Sequence, residues 1–149
     1  MPPAVKYLLL VNVICYALGL LLPQVTYVNG SEPWLNVICG LYYFGSPNFA
    51  PYQIFTYMFM HAGLGHLFFN MFALWMFGRE LEVQLGSQRF LTYYMVCGIG
   101  AALLQLGVGY AEYAHALDAG GMNAAMRYLY TPTVGASGAV FGLLLAFGV

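Results

Sequence analysis

Three polar side chains of this 149-residue sequence stand in strongly apolar surroundings, and their types and spacing could do chemistry. His66 and Asn70 are four residues apart, so on a helix they share one face and can donate hydrogen bonds in one direction. Ser137 lies in the run Gly135-Ala136-Ser137-Gly138-Ala139. A serine hydroxyl beside two side-chain donors meets part of what acyl transfer requires, because the donors can hold the oxyanion that forms when the hydroxyl attacks a carbonyl. The activating base is missing from this set. Each group also has a plainer reading. Alone, His66 and Asn70 read first as interhelical hydrogen bonds that hold a bundle together, and Ser137 as a small packing residue bonded to a carbonyl one turn back. The G-x-S-x-G elbow of soluble hydrolases is excluded, since position 139 is Ala and no strand precedes it.

Nothing in the pattern asks for a metal or a cofactor. His61 precedes His66 by five residues, about 140° round an ideal helix, and is expected to lie before the helix rather than on it. No H-E-x-x-H occurs, and His115 stands on a distant loop without acidic neighbours at ligand spacing. Cys15, Cys39 and Cys97 form no C-x-x-C pair and suggest neither a disulfide framework nor a zinc site.

The elements that must position these groups are membrane spans. The sequence is 62% hydrophobic and 17% aromatic with only 6% charged residues, against roughly 25% charged in a soluble domain. Its net charge of -1 offers no basic field, which sets nucleic acid aside. A spanning helix needs about 20 apolar residues, and four stretches approach this: Ala4 to Leu22, Gly63 to Leu85, Gln88 to Tyr110, and a stretch from just after Thr131-Pro132-Thr133 to Val149. The first reads as an uncleaved anchor, since no small-x-small site follows Leu22. Gly86 is a natural stop for the second helix and Ser87 a natural cap for the third. In the fourth, Ser137 falls about four residues inside the helix start, roughly 6 Å below the boundary, the same layer as His66. Gly135, Ala136, Gly138, Ala139, Gly142 and Ala146 make a stripe of small residues that admits close helix contact.

Lys6, Arg79 and Arg89 fall on one side and Arg127 on the other, so the positive-inside rule makes the N-terminal side cytoplasmic. The outer segment, 23–57, is rich in aromatics (Trp34, Tyr42, Tyr43, Phe44, Phe49, Tyr52, Phe55) and is expected to lie in the headgroup layer. The fold expected is therefore an all-α membrane protein, a polytopic helical bundle forming one domain over 1–149.

From Phe49 onward, about two thirds of the chain, the sequence resembles the rhomboid family of intramembrane serine proteases. His61-x-x-x-x-His66-x-x-x-Asn70 is similar to that family's second-helix signature, followed by Gly78, Glu82 and Leu85-Gly86-Ser87; Gly135-x-Ser137-Gly138 is similar to its nucleophile motif. The resemblance implies that Ser137 is the nucleophile and that His66, Asn70 and the Ser137 backbone N–H form the oxyanion hole. It makes Gly135 and Gly138 points of close helix approach, Glu82 a support for the cytoplasmic end of the second helix, and His61 a support for the outer loop. Phe141 stands where the family sets an aromatic against its catalytic histidine. Tyr52-Gln53 replace the Trp-Arg pair often found in the outer loop. The resemblance implies six helices, of which four are present here, with the base on a sixth-helix Gly-x-x-x-His motif, so this sequence is expected to be the N-terminal part of such a protein and to lack activity alone. The function implied is cleavage of transmembrane protein substrates near the outer boundary, without a cofactor, in a bilayer for which a bacterial inner membrane is the expectation. The alternative is a catalytically inactive rhomboid-like protein that binds membrane clients. The sequence leaves substrate identity and oligomeric state open.

Overall fold

The computed structural model describes residues 1–27 and 30–148, so Val149, the expected end of the fourth span, lies outside the described residues. Helix α1, Pro3–Leu21, starts with proline at its first position, where the missing N–H costs nothing. Its next two amides, Ala4 and Val5, donate to the Glu82 carboxylate at 2.9 and 2.8 Å, and Ser87 Oγ donates to the same group at 2.6 Å. Glu82 is only 3% exposed. Three donors and the positive end of a helix dipole offset the cost of burying it. Glu82 thus ties the start of the first helix to the turn between the second and third.

Beyond α1 the chain departs from the all-helical expectation. Strands β1 (Gln24–Tyr27) and β2 (Gly30–Pro33) form an antiparallel hairpin in the register Gln24 to Pro33 and Tyr27 to Gly30. The alternation Val25-Thr26-Tyr27 favours extended chain, and the Trp34 N–H closes the unit on the Pro23 carbonyl at 3.0 Å. Two short helices follow, α2 (Trp34–Cys39) and α3 (Gln53–Thr56), then a 3₁₀ turn at Tyr57–Phe59. Gln53 organises this loop. Its Oε1 accepts from the Tyr42 and Ala50 amides, and its Nε2 donates to the Ile38 and Asn48 carbonyls at 3.2 and 2.9 Å. The adjacent Tyr52 hydroxyl adds a bond to Ile38 O at 3.1 Å.

The second apolar stretch is helical from residue 64 to residue 85 as expected: α4 (Leu64–Ala73), a π-helical turn (Leu74–Gly78) and α5 (Arg79–Leu85). Gly86, at φ 78°, ends it. Ser87 is the first residue of the next helix rather than its cap, and its hydroxyl goes to Glu82. Helix α6, Ser87–Asp118, runs past the expected end at Tyr110, because Ala111, Glu112, Ala114, Ala116 and Leu117 are good helix formers and no breaker intervenes. The stop comes at Gly120, φ 70°, where Gly121 N–H bonds Ala116 O and Gly120 N–H bonds Leu117 O, a Schellman closure. An unforeseen helix, α7 (Met122–Tyr130), follows before α8 (Ser137–Phe147).

Helices α1 and α6 are individually long and apolar enough to cross a bilayer. The small-residue stripe on α8 packs where close approach was expected. Gly138 abuts Ala101, and a methyl group built on Gly142 would stand 2.5 Å from Cys97 Sγ. Tyr93 on α6 donates to the Gly142 carbonyl at 2.8 Å. Leu74, Phe90, Tyr94 and Leu143 fill the interior, while Phe68, Phe69, Trp75, Phe141 and Leu145 face outward, as the apolar exterior of a membrane bundle requires.

Candidate active site

Gly135 lies outside α8, not within its first turn. Leu41 and Thr133 pair as an isolated bridge, exchanging N–H···O bonds of 2.9 and 2.8 Å, which holds the chain extended through Thr133. Gly135 then turns at φ 129°, a left-handed conformation that side chains disfavour, and Ser137 becomes the first helical residue. The hydroxyl is therefore shallower than four residues of helix would put it. Being first in the helix, Ser137 also contributes one of the backbone N–H groups that have no intrahelical acceptor.

A methyl group built on Gly135 would lie 2.8 Å from His66 Nε2, 2.7 Å from His66 Cε1 and 3.6 Å from Ser137 Oγ. Imidazole and hydroxyl therefore flank the same glycine, well within one helix diameter, about 10 Å, of each other. The Ala62 N–H points at His66 Nδ1, a long contact of 3.5 Å, while Nε2 faces Gly135; the tautomer in which Nδ1 accepts makes Nε2 a donor there. Asn70, buried one turn further along α4, donates from Nδ2 to the His66 carbonyl at 2.9 Å. Its other amide proton has no partner among the described hydrogen bonds. Ser137 Oγ makes none either, so the bond to a carbonyl one turn back is not formed.

His61 precedes α4 and meets His66 edge to face, ring centroids 5.2 Å apart. Its carbonyl accepts from Asn36 Nδ2 at 3.2 Å. Neither ring nitrogen makes a well-formed hydrogen bond. Burial, and secondarily the neighbouring His66, lowers its pKa to about 4, against a slight opposing pull from the Phe59 carbonyl. The unfolded chain binds this proton near pH 6.5 and the folded chain near 4, so the contribution is present above pH 6.5 and lost as pH falls toward 4. We expect the detergent-solubilised protein to lose about 3 kcal/mol between pH 7 and 4, and His61→Gln to flatten that slope in thermal unfolding. A wild-type curve flat over this range would refute the assignment.

Tyr57 is a site residue that sequence reasoning missed. Its carbonyl accepts from the Gly135 N–H at 2.9 Å, and its buried hydroxyl donates to Gly98 O at 2.7 Å, so it fixes the turn before Ser137 against α6. Nothing in a single sequence distinguishes it from the other loop aromatics. Phe141 is 69% exposed, and no aromatic contact is formed by it among the described residues.

Residues 48–149 match the family model described as the Rhomboid domain. The chain belongs to the rhomboid family. Among its relatives, the putative rhomboid protease YdcA of Bacillus subtilis (strain 168) is 33% identical over 116 residues, 78% of this chain and 47% of that protein. Rhomboid protease GluP of the same organism is 32% identical over 93 residues, 62% of this chain and 14% of that protein. The mitochondrial rhomboid protein 1 of Saccharomyces cerevisiae is 37% identical over 89 residues, covering 60% and 22%. This rhomboid chain thus spans less than half the length of each of these relatives. Family and apolar helices together make it an integral membrane protein of helical-bundle type.

Proposed function

We propose that this rhomboid chain supplies the nucleophile and oxyanion half of an intramembrane serine endopeptidase that cleaves transmembrane proteins near the outer boundary of the bilayer. The observation that carries the proposal is that His66 Nε2 and Ser137 Oγ both lie beside Gly135. In this reading Ser137 Oγ attacks the scissile carbonyl carbon. The developing oxyanion is held by His66 Nε2–H, the free amide proton of Asn70 and the Ser137 backbone N–H. Collapse of the tetrahedral species breaks the C–N bond and leaves an acyl-enzyme, which water hydrolyses. His66 is aimed as a donor and is a poor base for the serine proton. That proton passes instead to the histidine that the family resemblance sets on a sixth helix, which returns it to the leaving amine as the C–N bond breaks. No cofactor is required.

Gly135 and Gly138 allow the close approaches, Glu82 and His61 hold the frame, and Phe141 awaits the aromatic contact of the catalytic histidine. Four spans, a cytoplasmic N-terminus and a bacterial inner membrane complete the proposal. A serine-directed fluorophosphonate applied to the full-length protein tests it: Ser137-dependent labelling supports the protease. Absence of labelling, with client capture retained, favours the inactive client-binding reading. Asn70→Ala is expected to slow cleavage by about 10²- to 10³-fold, the usual loss for one oxyanion donor; an unchanged rate would remove Asn70 from the mechanism.

A further inference from the structure

A half-open cavity of about 400 Å³, which Ser137 does not line, is bounded by the outer loop, the C-terminal half of α6, α7 and the strand-like segment 131–133. Its walls are pinned by the Leu41–Thr133 bridge and by a short hydrogen bond from Ser46 Oγ to the Leu129 carbonyl. Glu112 on α6 and Arg127 on α7 both line it. Among the described residues the only ion pair is Arg79 with Glu80, so these two opposite charges face one cavity without pairing with each other or with any other group. Gln105 and Tyr128 add polar atoms that have no hydrogen-bond partner among the described residues. Tyr43 contributes an aromatic wall, held by Phe44 and Tyr113 at ring-centroid distances of 4.5 and 5.2 Å.

Depth narrows what could bind. With α6 as a span, Gln105 lies about 27 Å and Glu112 about 38 Å along the helix from Ser87 at 1.5 Å per residue. The hydrocarbon core is about 30 Å thick and the bilayer with headgroups about 40–45 Å. The cavity therefore runs from the edge of the hydrocarbon into the headgroup layer. An occupant that engages both charges at that depth offers an anion to Arg127 and a cation to Glu112.

We propose that this cavity binds a zwitterionic phosphate–ammonium lipid headgroup of the phosphoethanolamine type, with Arg127 on the phosphate, and Glu112 and the Tyr43 ring on the ammonium. Guanidinium and phosphate make strong charge-assisted hydrogen bonds, and an ammonium is attracted to both a carboxylate and an aromatic face.

The test titrates the delipidated chain in detergent with dihexanoyl phosphatidylethanolamine, dihexanoyl phosphatidylglycerol and free phosphoethanolamine, following thermal unfolding. The ethanolamine lipid is expected to raise the unfolding temperature more than the glycerol lipid at equal concentration. Arg127→Ala and Glu112→Gln are each expected to weaken the response about tenfold or more, and their exposure means that the fold survives, which circular dichroism checks. Equal responses from the wild type and the double variant would exclude the cavity as the site. A response to the glycerol lipid as large as to the ethanolamine lipid would overturn zwitterion recognition. Tight binding of free phosphoethanolamine alone would overturn the membrane source. A protein segment as occupant predicts no lipid response at all, and that result also sinks the proposal.

Discussion

Replacing Ser137 with Ala is expected to abolish cleavage by the full-length protein, with a loss on the order of 10⁶ if the nucleophile acts as it does in soluble serine proteases, while leaving stability within about 0.5 kcal/mol. The second half of that expectation separates catalysis from packing. A serine that only packed would bond its hydroxyl to a carbonyl one turn back and would lose stability when the bond was removed. Among the described residues Oγ has no hydrogen-bond partner, Ser137 is half-buried, and the first helical position tolerates Ala. Activity and unfolding temperature, measured on the same preparation, should therefore part company. A matched loss of both would mean that Ser137 holds the bundle together. Retained cleavage would remove the serine mechanism altogether. A client-binding protein without catalysis predicts a third pattern, in which clients are still captured and the wild type never cleaves them.

How much of this was legible beforehand follows from which forces act locally. Span limits were readable where a breaker or a run of apolar residues decides them, as at Leu85-Gly86, and the small-residue stripe announced a close helix contact, though not that α6 would make it. Helix starts governed by tertiary pairing were not. The Leu41–Thr133 bridge joins residues far apart in the chain, and it moves the start of α8 from just after Thr133 to Ser137. The same holds for Gln53: a glutamine in an aromatic loop carries no signal of the four backbone groups it will satisfy. The extension of α6 to Asp118 follows from helix propensity, whereas an average span length stops the helix near Tyr110. That His66 and Asn70 share one face of a helix followed from their spacing alone, whereas bringing His66 and Ser137 beside one glycine needed the turn at Gly135.

That turn gives the other large expected effect. Gly135→Ala adds one methyl group, and two independent costs coincide on it. At φ 129° any L side chain is strained, typically by about 1–3 kcal/mol. The methyl would also stand 2.7 to 2.8 Å from the His66 ring, closer than carbon and nitrogen atoms tolerate without bonding. The ring has to swing away or the segment has to back off α4, and either movement takes Nε2–H from the oxyanion. Loss of one such donor is worth about 10²- to 10³-fold in rate, so Gly135→Ala should cut cleavage at least that far and lower the unfolding temperature as well. Gly100→Ala is the matched control, because nothing lies within 4 Å of a methyl group built there and α6 gains helix propensity. If Gly135→Ala kept wild-type cleavage, His66 would not be the group that meets the charge forming beside Ser137, and the oxyanion would have to rest on Asn70 and the backbone N–H alone.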